Sequence, residues 1–525
     1  MKKDLSFPFI ALAGFMGTGK STVGKVLAEK LEWPFFDSDQ RVEESAGKPV
    51  SRIFAEDGEA HFRQLEREVL AELSRKREVV IATGGGSLLC EENRKELSRG
   101  LLFVLDASLP AIAGRIGNEG DRPLFSRLEQ LYAERKKLYL GFPFHLETVG
   151  RTPDEIAEAL LELISSKKKT LSVSLGERSY PILLEAGGIA GSGAFLSERA
   201  MSGRCLLVSD ENVFPLYGSS VLQSLGDAGF SVQVAMVPAG EKSKSLEKAA
   251  DLFRQLIENR SDRRSPVIAL GGGVIGDLAG FVASTYQRGV PFFQIPTSLL
   301  AQIDSSVGGK VAVNHPLAKN MIGTFHQPQG VLIDPLCLLS LPEREYRSGL
   351  AELVKYGVIL DEQLFASIER DLPSLLARKT KVLIPLIARA CELKAAVVEK
   401  DERENDLRAI LNFGHTLGHA VEAIAGYCTF THGEAVAMGM VKAGELALLS
   451  GFPTQDQKRL KNLLEAIGLP TRVPDLSASA LLEAMTMDKK NQGNSISMVL
   501  PIRLGRADLP RMIDPETLRS FLKKN

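Results

Sequence analysis

The sequence predicts an α/β protein built from more than one domain. Its 525 residues exceed the length that one hydrophobic core normally organises. Short apolar runs alternate with longer amphipathic segments, which is typical of parallel sheets covered by helices. After about residue 341 helical periodicity dominates, although residues 496–502 have the composition of a strand. We therefore expect two α/β domains followed by a mainly helical one.

A polar stretch, SSKKKT at residues 165–170, separates the first α/β region from the second. It follows an amphipathic helix and precedes a segment that alternates like a strand. We place the first domain at 1–165, a linker at 166–171, the second domain at 172–340 and the helical domain at 341–525.

The composition is that of an ordinary globular protein, with 64 Lys and Arg residues against 65 Asp and Glu residues. This balance predicts no nucleic-acid partner, while small anionic substrates need only a local basic pocket. Five scattered cysteines without a CxxC pair argue against a disulfide framework or a thiolate zinc site. No apolar run approaches the ~20 residues of a membrane helix, and no signal peptide is evident. We expect a cytoplasmic protein.

A phosphate-binding loop is predicted at residues 14–21, where GFMGTGKS fits the pattern GxxxxGK[ST] between an apolar strand and a helix. Backbone amides would hold phosphates, Lys20 would reach the terminal ones and Ser21 would ligate Mg²⁺. A glycine turn that merely contains Lys and Ser is disfavoured, because the flanking segments agree with the pattern. The predicted ATP-binding residues of this loop are Gly17, Thr18, Gly19, Lys20, Ser21 and Thr22.

Three further motifs of the first domain could bind a phosphoryl acceptor. DSD at 37–39 ends an apolar run, FR at 62–63 lies on a predicted helix, and TGGG at 83–86 follows a strand. Each has a structural explanation when taken alone. Asp39 could cap a helix, Arg63 could form a solvated salt bridge, and the glycines could form a tight turn.

Together with the phosphate loop, an Arg-Pro pair at 122–123 and an Arg at 135, these motifs resemble shikimate kinase over residues 7–160. The resemblance implies that Asp39 orients or deprotonates a shikimate hydroxyl and that arginines pair with the shikimate carboxylate. The implied shikimate-binding residues are Asp39, Arg63, Gly85 and Arg135, and the implied catalytic residues are Asp39, Lys20 and Arg122. Asp37 would support the Mg²⁺ site, Arg122 would lie on a lid and also bind ATP, and Arg151 would lie near adenine.

A second glycine-rich loop, GGGVIGD at residues 271–277, follows an apolar strand and satisfies GxGxxG. The motif alone is a weak indication, because such glycines could simply pack a helix against a sheet. The acidic residue expected ~20 positions later is missing, so an ordinary Rossmann dehydrogenase is not predicted.

A histidine cluster follows, as NFGHTLGH at 412–419 and THGE at 431–434. His415 and His419 share one helix face, and His432 lies close in sequence. The pattern is not HExxH, so a protease-type zinc helix is unsupported. Together with Glu352 the cluster favours a metal site over structural histidines, because two His, one Glu and an open position suit catalytic zinc.

These features, with AGEKSK at 239–244, DSSVGGK at 304–310 and KN at 319–320, resemble 3-dehydroquinate synthase from residue 171 onward. The resemblance implies Zn²⁺ or Co²⁺ on Glu352, His415 and His432, with His419 as an acid-base or phosphate-binding group. The implied NAD-binding residues are Asp210, Ala239, Gly240, Glu241, Lys242, Ser243, Lys244, Gly273, Val274, Ile275, Gly276, Asp277, Thr297, Ser298, Lys310 and Lys319. The implied catalytic residues are Lys310, His419, Lys355, Lys394 and Asp304, and the implied substrate-binding residues are Arg288, Asn320, Arg408 and Asn412.

The resemblances imply two reactions, phosphorylation of shikimate and NAD-dependent cyclisation of a seven-carbon sugar-acid phosphate to 3-dehydroquinate with loss of phosphate. They also imply a homodimer through the NAD domain. Lys489 and Lys490 match a family element without indicating which enters the site. Two alternatives stay open: a related sugar-phosphate cyclase fused to another small-molecule kinase, and an inactive scaffold.

Overall fold

The computed structural model describes residues 5–116, 128–164, 168–200, 203–426, 429–486 and 495–524. It contains two layered α/β regions and a mainly helical region, so the predicted fold class is confirmed. Within the described ranges, no helix combines the length and the apolar character needed to cross a membrane.

The first sheet has five parallel strands in the order β2-β3-β1-β4-β5. Its central strand reads FIALA and is buried on both faces, as expected where helices cover both sides of a parallel sheet. The strands are β1 (Phe9–Ala13), β2 (Phe35–Asp37), β3 (Val79–Ala82), β4 (Leu101–Asp106) and β5 (His145–Glu147). The helices are α1 (Lys20–Leu31), α2 (Ser38–Ala46), α3 (Val50–Glu56), α4 (Gly58–Leu73), α5 (Glu91–Leu97), α6 (Leu109–Ile116), α7 (Leu128–Tyr139) and α8 (Pro153–Ile164).

The second sheet has seven strands in the order β6-β7-β14-β11-β10-β8-β9, and a separate antiparallel hairpin, β12-β13, lies beside it. The strands are β6 (Lys169–Val173), β7 (Tyr180–Leu184), β8 (Arg204–Asp210), β9 (Ser231–Val237), β10 (Val267–Gly271), β11 (Phe292–Pro296), β12 (Lys310–His315), β13 (Ala318–Phe325) and β14 (Gly330–Ile333). The helices are α9 (Ser192–Ser197), α10 (Phe214–Asp227), α11 (Leu246–Glu258) and α12 (Gly273–Thr285).

The first strand of this sheet begins inside the predicted linker at 166–171. β6 starts at Lys169 and pairs antiparallel with β7 at the edge of the sheet. An edge strand tolerates polar residues and lysines, so its composition resembles that of a connecting segment.

The C-terminal region packs helices around α13 and α17. The predicted strand at 496–502 forms two short strands that pair with different partners. The helices are α13 (Glu343–Ile359), α14 (Glu362–Leu376), α15 (Thr380–Lys400), α16 (His415–Ile424), α17 (His432–Ala447), α18 (Thr454–Ile467), α19 (Ala478–Thr486) and α20 (Pro515–Lys524). The strands are β15 (Ile496–Met498), β16 (Pro501–Arg503), β17 (Arg506–Ala507) and β18 (Arg511–Ile513).

The N-terminal half (described residues 5–164) packs directly against the C-terminal half (described residues 168–524). Phe7 lies on Gly187 so closely that a Cβ on the glycine would be 2.7 Å from the ring. The rings of Phe144 and Tyr217 are 6.3 Å apart, and Thr380 donates a hydrogen bond of 2.9 Å to the Glu162 carbonyl. One hydrophobic core therefore crosses the boundary between the halves.

Candidate active sites

The phosphate-binding loop joins β1 to α1 in the first sheet. Gly14, Gly17 and Gly19 have φ values of 135°, 77° and 95°, which side chains other than glycine rarely adopt. A Cβ on Gly14 would also lie 2.4 Å from the Leu105 carbonyl oxygen. The loop thus takes the tight path from strand to helix that phosphate binding requires.

Lys20 and Ser21 occupy the first turn of α1. The buried Lys20 ammonium donates to the carbonyl oxygens of Gly14 and Phe15, each at 2.9 Å. Ser21 Oγ donates to Asp37 Oδ2 at 2.5 Å, and Asp37 Oδ1 accepts from the Asp39 amide at 3.0 Å. A hydroxyl and a carboxylate in contact suit Mg²⁺, which binds oxygen ligands.

Asp39 lies in the first turn of α2. Its Oδ1 is buried and accepts no hydrogen bond from the described residues. Burial, together with the carboxylates of Asp37 and Glu66, raises the pKa of the Asp39 carboxyl to about 6 against the opposing effect of Lys20. A carboxylate with an open acceptor and a pKa near neutrality can act as a general base.

Arg63 is held in place by Glu66, a residue that sequence analysis missed. Glu66 Oε2 accepts from Arg63 Nη1 at 2.8 Å, and Oε1 accepts from Ser87 Oγ at 2.6 Å. The guanidinium lies against Gly86, where a Cβ would be 2.6 Å from Nη2. The spacing of three residues on one helix is the signal that could have identified Glu66.

A second buried arginine, Arg135 on α7, approaches the same glycine turn. Its Nη1 donates to the Gly85 carbonyl at 2.7 Å, and Tyr139 donates to the same oxygen at 2.7 Å. Burial lowers the pKa of Arg135 from its usual range. Arg63 and Arg135 lie near each other, Arg63 also lies near Asp39, and two guanidinium groups so placed can bind a carboxylate through paired hydrogen bonds.

Two further arginines, Arg122 and Arg151, are predicted to bind ATP, and the structure describes only the second. Arg122 lies outside the described residues. Arg151 is exposed in the turn between β5 and α8 and borders a cavity of about 670 Å³ between the two halves. Arg115, which sequence analysis missed, donates to the carbonyls of Gly17 at 3.4 Å and Thr148 at 2.7 Å, so it connects the phosphate loop to this turn.

In the second sheet, the predicted NAD-binding residues gather where parallel strands end. Asp210 ends β8, residues 239–244 follow β9, residues 273–277 follow β10, and residues 297–298 follow β11. A Cβ on the glycine that precedes α12 would lie 3.4 Å from Ser298 Oγ, so the ends of β10 and β11 adjoin. Dinucleotides bind in such a crevice at the carboxyl edge of an α/β sheet.

Lys244 connects three parts of this crevice. Its buried ammonium donates to the side chains of Asp277 on α12 and Asn320 on β13. Glu241 accepts from Asn314 Nδ2 at 2.7 Å, which ties the loop after β9 to the hairpin β12-β13. Burial raises the pKa of Asp277, although Lys244 opposes the shift.

Two buried lysines of the helical region converge on Asp304. Lys355 Nζ lies 3.2 Å from Asp304 Oδ2, and Lys394 donates to the Asp304 carbonyl at 2.8 Å and also contacts its carboxylate. Burial opposes ionisation of Asp304, but the two lysines outweigh it and lower its pKa. Burial lowers the pKa of Lys394, and Arg408 adds to that shift. The cluster can bind an anion or exchange a proton.

Two further cations, Arg408 and Lys310, contact the segment at 402–404. Arg408 is buried and donates to the carbonyls of Glu402 at 2.6 Å and Gly308 at 3.0 Å. Lys310 contacts the Glu404 carboxylate, which also accepts from Asn412 Nδ2 at 3.1 Å. Sequence analysis missed Glu404, which attaches the hairpin β12-β13 to the helical region.

The three histidines meet because two helices pack closely. His415 begins α16, and His432 begins α17, where Thr431 and Glu434 form a capping box. A Cβ on Gly439 of α17 would lie 1.9 Å from the carbonyl oxygen of Gly414 at the start of α16, so only glycine allows this approach. The ring centroids are 5.2 to 5.8 Å apart.

Glu352 completes the candidate metal site. Its Oε1 lies 3.3 Å from His415 Nε2 and 3.4 Å from His432 Nε2, and its Oε2 lies 2.5 Å from Lys355 Nζ. The carboxylate is 1% exposed, and neither oxygen accepts a well-aligned hydrogen bond from the described residues. A divalent cation between these groups would satisfy this carboxylate, so the residues fit Zn²⁺ or Co²⁺.

A three-histidine set is also geometrically possible, since one ring nitrogen of His419 lies within 4.8 Å of those of His415 and His432. We favour Glu352 over His419 because the carboxylate is buried and anionic, whereas His419 is exposed. Burial opposes protonation of His432, but Glu352 and Glu422 outweigh it and raise its pKa to about 10. A metal ion would therefore displace a proton from this imidazole.

One predicted residue, Arg288, does not join these clusters, and two further residues are not described by the structure. Arg288 is exposed in the turn before β11, at the sheet edge opposite the crevice, because it enters the amino end of that strand. Lys489 and Lys490 lie outside the described residues.

The fold and the two sites define a chain with two enzymes, a P-loop phosphotransferase followed by a dinucleotide- and metal-dependent enzyme. The shikimate kinase family model matches residues 16–165, and the N-terminal and C-terminal models of 3-dehydroquinate synthase match residues 234–348 and 349–491. The chain belongs to the 3-dehydroquinate synthase family and carries a shikimate kinase domain before it. The predicted fusion is confirmed.

Relatives of the C-terminal half support the same conclusion. The chain is 52% identical over 342 residues to the 3-dehydroquinate synthase of Desulforamulus reducens, covering 65% of this chain and 95% of that protein. It is 50% identical over 347 residues to that of Geobacter metallireducens, covering 66% and 96%.

Among solved structures, a 2-epi-5-epi-valiolone synthase from Streptomyces hygroscopicus with NAD⁺ and Zn²⁺ bound is similar at 28% identity. Its TM-score is 0.62, over 67% of this chain and 98% of that chain. A 2-deoxy-scyllo-inosose synthase complexed with carbaglucose-6-phosphate, NAD⁺ and Co²⁺ is 26% identical, with a TM-score of 0.61 over 68% and 100%. These related cyclases are the alternative left open by the sequence, and their lower identity disfavours it.

Proposed function

We propose that the chain phosphorylates shikimate with ATP and converts 3-deoxy-D-arabino-heptulosonate 7-phosphate to 3-dehydroquinate and phosphate at two separate sites. The observation that carries the second activity is the buried Glu352 carboxylate, whose Oε1 lies 3.3 and 3.4 Å from two imidazoles beside Lys355. Shikimate phosphorylation rests on the Asp39 oxygen, which accepts no hydrogen bond from the described residues, and on Arg63 and Arg135 at the glycine turn beside it.

In the kinase half, Arg63 and Arg135 pair with the shikimate carboxylate. Asp39 accepts the proton of the hydroxyl whose oxygen attacks the terminal phosphorus of ATP, and ADP leaves. Ser21 and Asp37 would hold Mg²⁺, and Lys20 would exchange its loop carbonyls for phosphate oxygens. Gly85 contributes to the shikimate pocket, and Arg122 and Arg151 keep their predicted roles at phosphate and adenine.

In the synthase half, bound NAD⁺ would accept and return a hydride, and Zn²⁺ or Co²⁺ on Glu352, His415 and His432 would polarise the carbinol oxygen. Lys355 and Lys394 lie beside this site and bind the anionic groups of the substrate. His419, exposed beside the metal ligands, exchanges protons with the substrate. The other substrate-binding residues are Asp304, Lys310, Lys319, Asn320, Arg408 and Asn412, and Arg288 remains a prediction from the family resemblance.

The proposal extends to the organisation of the chain. It comprises a kinase domain at 1–165, an NAD-binding domain at 172–340 and a metal-binding domain at 341–525. A homodimer through the NAD-binding domain and a cytoplasmic location follow from the family resemblance and the cysteine usage. Sedimentation velocity on the purified chain tests the dimer, which a monomer at micromolar concentration would contradict.

The test uses one preparation for both activities. Phosphate release from the heptulosonate phosphate with NAD⁺ is measured before and after chelation, alongside ATP-dependent phosphorylation of shikimate. Chelation should abolish phosphate release. Adding Zn²⁺ or Co²⁺ back should restore it. Turnover of a heptulose phosphate without the carboxylate, with no turnover of the acid, would favour a related cyclase. Absence of both activities would favour an inactive scaffold.

A further inference from the structure

The two histidines of the candidate metal site present the same nitrogen to Glu352. Each uses its other ring nitrogen elsewhere: His415 Nδ1 lies 3.1 Å from the Phe413 carbonyl, and His432 Nδ1 lies 3.3 Å from Glu422 Oε2. Because a carbonyl can only accept, His415 carries its proton on Nδ1 and leaves Nε2 open. Glu422 is placed to accept a hydrogen bond from His432 Nδ1, as the Phe413 carbonyl accepts one from His415 Nδ1.

Glu422 is placed by the fold and not by the local sequence. It lies in the last turn of α16, is 6% exposed and faces the N-terminus of α17. Its other oxygen, Oε1, lies 3.6 Å from Lys319 Nζ on β13. One carboxylate therefore contacts a metal-site histidine on one side and the NAD-binding domain on the other.

A purely structural explanation is that Glu422 and Lys319 form a partly buried ion pair. That explanation does not require Glu422 to face a ring nitrogen that points away from the metal site. Carboxylates that accept from the outer nitrogen of a metal-binding histidine fix its tautomer and orientation and raise its basicity. The two explanations differ in what they predict for metal affinity.

We propose that Glu422 is a positioning residue that holds His432 with Nε2 toward the metal and links this histidine to Lys319 across the synthase cleft. The inference rests on the proposed metal site at Glu352, His415 and His432. A carboxylate with both oxygens engaged holds the imidazole more firmly than one free to rotate.

The test measures Co²⁺ binding by the full-length metal-free chain, through the visible absorption of Co²⁺ and competition with a chelator. Glu422→Gln keeps an acceptor but loses the charge, and should weaken binding about tenfold. Glu422→Leu removes both and should weaken it about 100-fold, with altered absorption bands. Glu445→Gln is the matched control, because Glu445 lies on α17 with His432 but pairs with Lys442.

The melting temperature of each metal-free variant separates positioning from folding. A structural role alone would lower that temperature and leave Co²⁺ affinity and absorption at wild-type values, which would overturn the inference. If His432→Ala also binds Co²⁺ like wild type, the metal lies elsewhere and the proposed site fails as well. A loss of binding in His432→Ala, with normal binding in both Glu422 variants, contradicts only the role of Glu422.

A structure of the zinc-loaded wild-type chain keeps the inference testable if the variants do not fold. The expected arrangement is zinc on His432 Nε2 with Nδ1 in hydrogen-bond distance of Glu422. Coordination through Nδ1, or a Glu422 turned away from the imidazole, would overturn it.

Discussion

The kinase and synthase halves assemble their polar sites in different ways. In the kinase half the partners are local: Glu66 holds Arg63 from one turn away on the same helix, and Asp37 caps the helix that carries Asp39. In the synthase half, charged partners come from separate domains, as in Lys310 with Glu404 and Lys319 with Glu422. The kinase pocket is therefore formed within one domain, while the synthase cleft depends on contacts between two.

The sharpest test of this separation is Glu352→Gln. It removes the anionic metal ligand, and we expect phosphate release to fall by at least about 100-fold, because an electrostatic group at the reacting centre is lost. Shikimate phosphorylation by the same preparation should not change. Equal losses in both activities would mean that the halves are not independent.

The reciprocal variant is Asp39→Asn, which keeps the shape of the side chain and removes the base. We expect shikimate phosphorylation to fall about 100-fold or more, the usual effect of losing a general base. Phosphate release from the heptulosonate phosphate serves as the internal control. A variant that retains more than about a tenth of wild-type kinase activity would show that Asp39 only orients the substrate.

The two halves should also differ in their dependence on pH. Because the pKa of Asp39 is raised to about 6, the carboxylate needed as a base is present above that pH and is lost below it. The kcat/KM of shikimate phosphorylation should fall about tenfold per pH unit below pH 6. The measurement is a pH profile with circular dichroism as a check on folding. A flat profile down to pH 5 would contradict the role of Asp39.

The smallest effects are expected for two partner carboxylates. Glu66 lies on the same helix as its arginine, and Glu404 lies in a different domain from its lysine. Glu66→Gln should raise the KM for shikimate about tenfold, because Arg63 loses a buried charged partner. Glu404→Gln should raise the KM for the heptulosonate phosphate only a few-fold, because Lys310 is partly exposed and its ion pair is screened. Steady-state kinetics of both variants test this order, and the reverse order would mean that the interdomain contacts hold the synthase site more firmly than proposed.

Sequence patterns predicted the features whose chemistry depends on neighbouring residues. The phosphate loop, GGGVIGD and the His415 to His419 spacing each place functional groups within a few positions. Asp210 and Thr297 were predicted from the family resemblance alone, and both lie at the carboxyl ends of parallel strands.

The partner carboxylates could not be predicted in the same way. Glu404 and Glu422 act on lysines about a hundred residues earlier in the chain, and nothing in the local sequence distinguishes them from surface acids. The exposed position of Arg288 and the start of β6 at Lys169 likewise depend on sheet geometry. Only tertiary packing decides these features.

The contact between Phe7 and Gly187 has a consequence for how the protein is made. At roughly 5–20 residues per second, roughly tens of seconds separate the emergence of these two residues from the ribosome. During that interval the apolar surface around Phe7 lacks its native cover, so nascent chains that end before Gly187 should be more sensitive to protease and bind chaperones more than longer ones. The apolar surface of the first half is therefore fully covered only after the beginning of the second half has been translated.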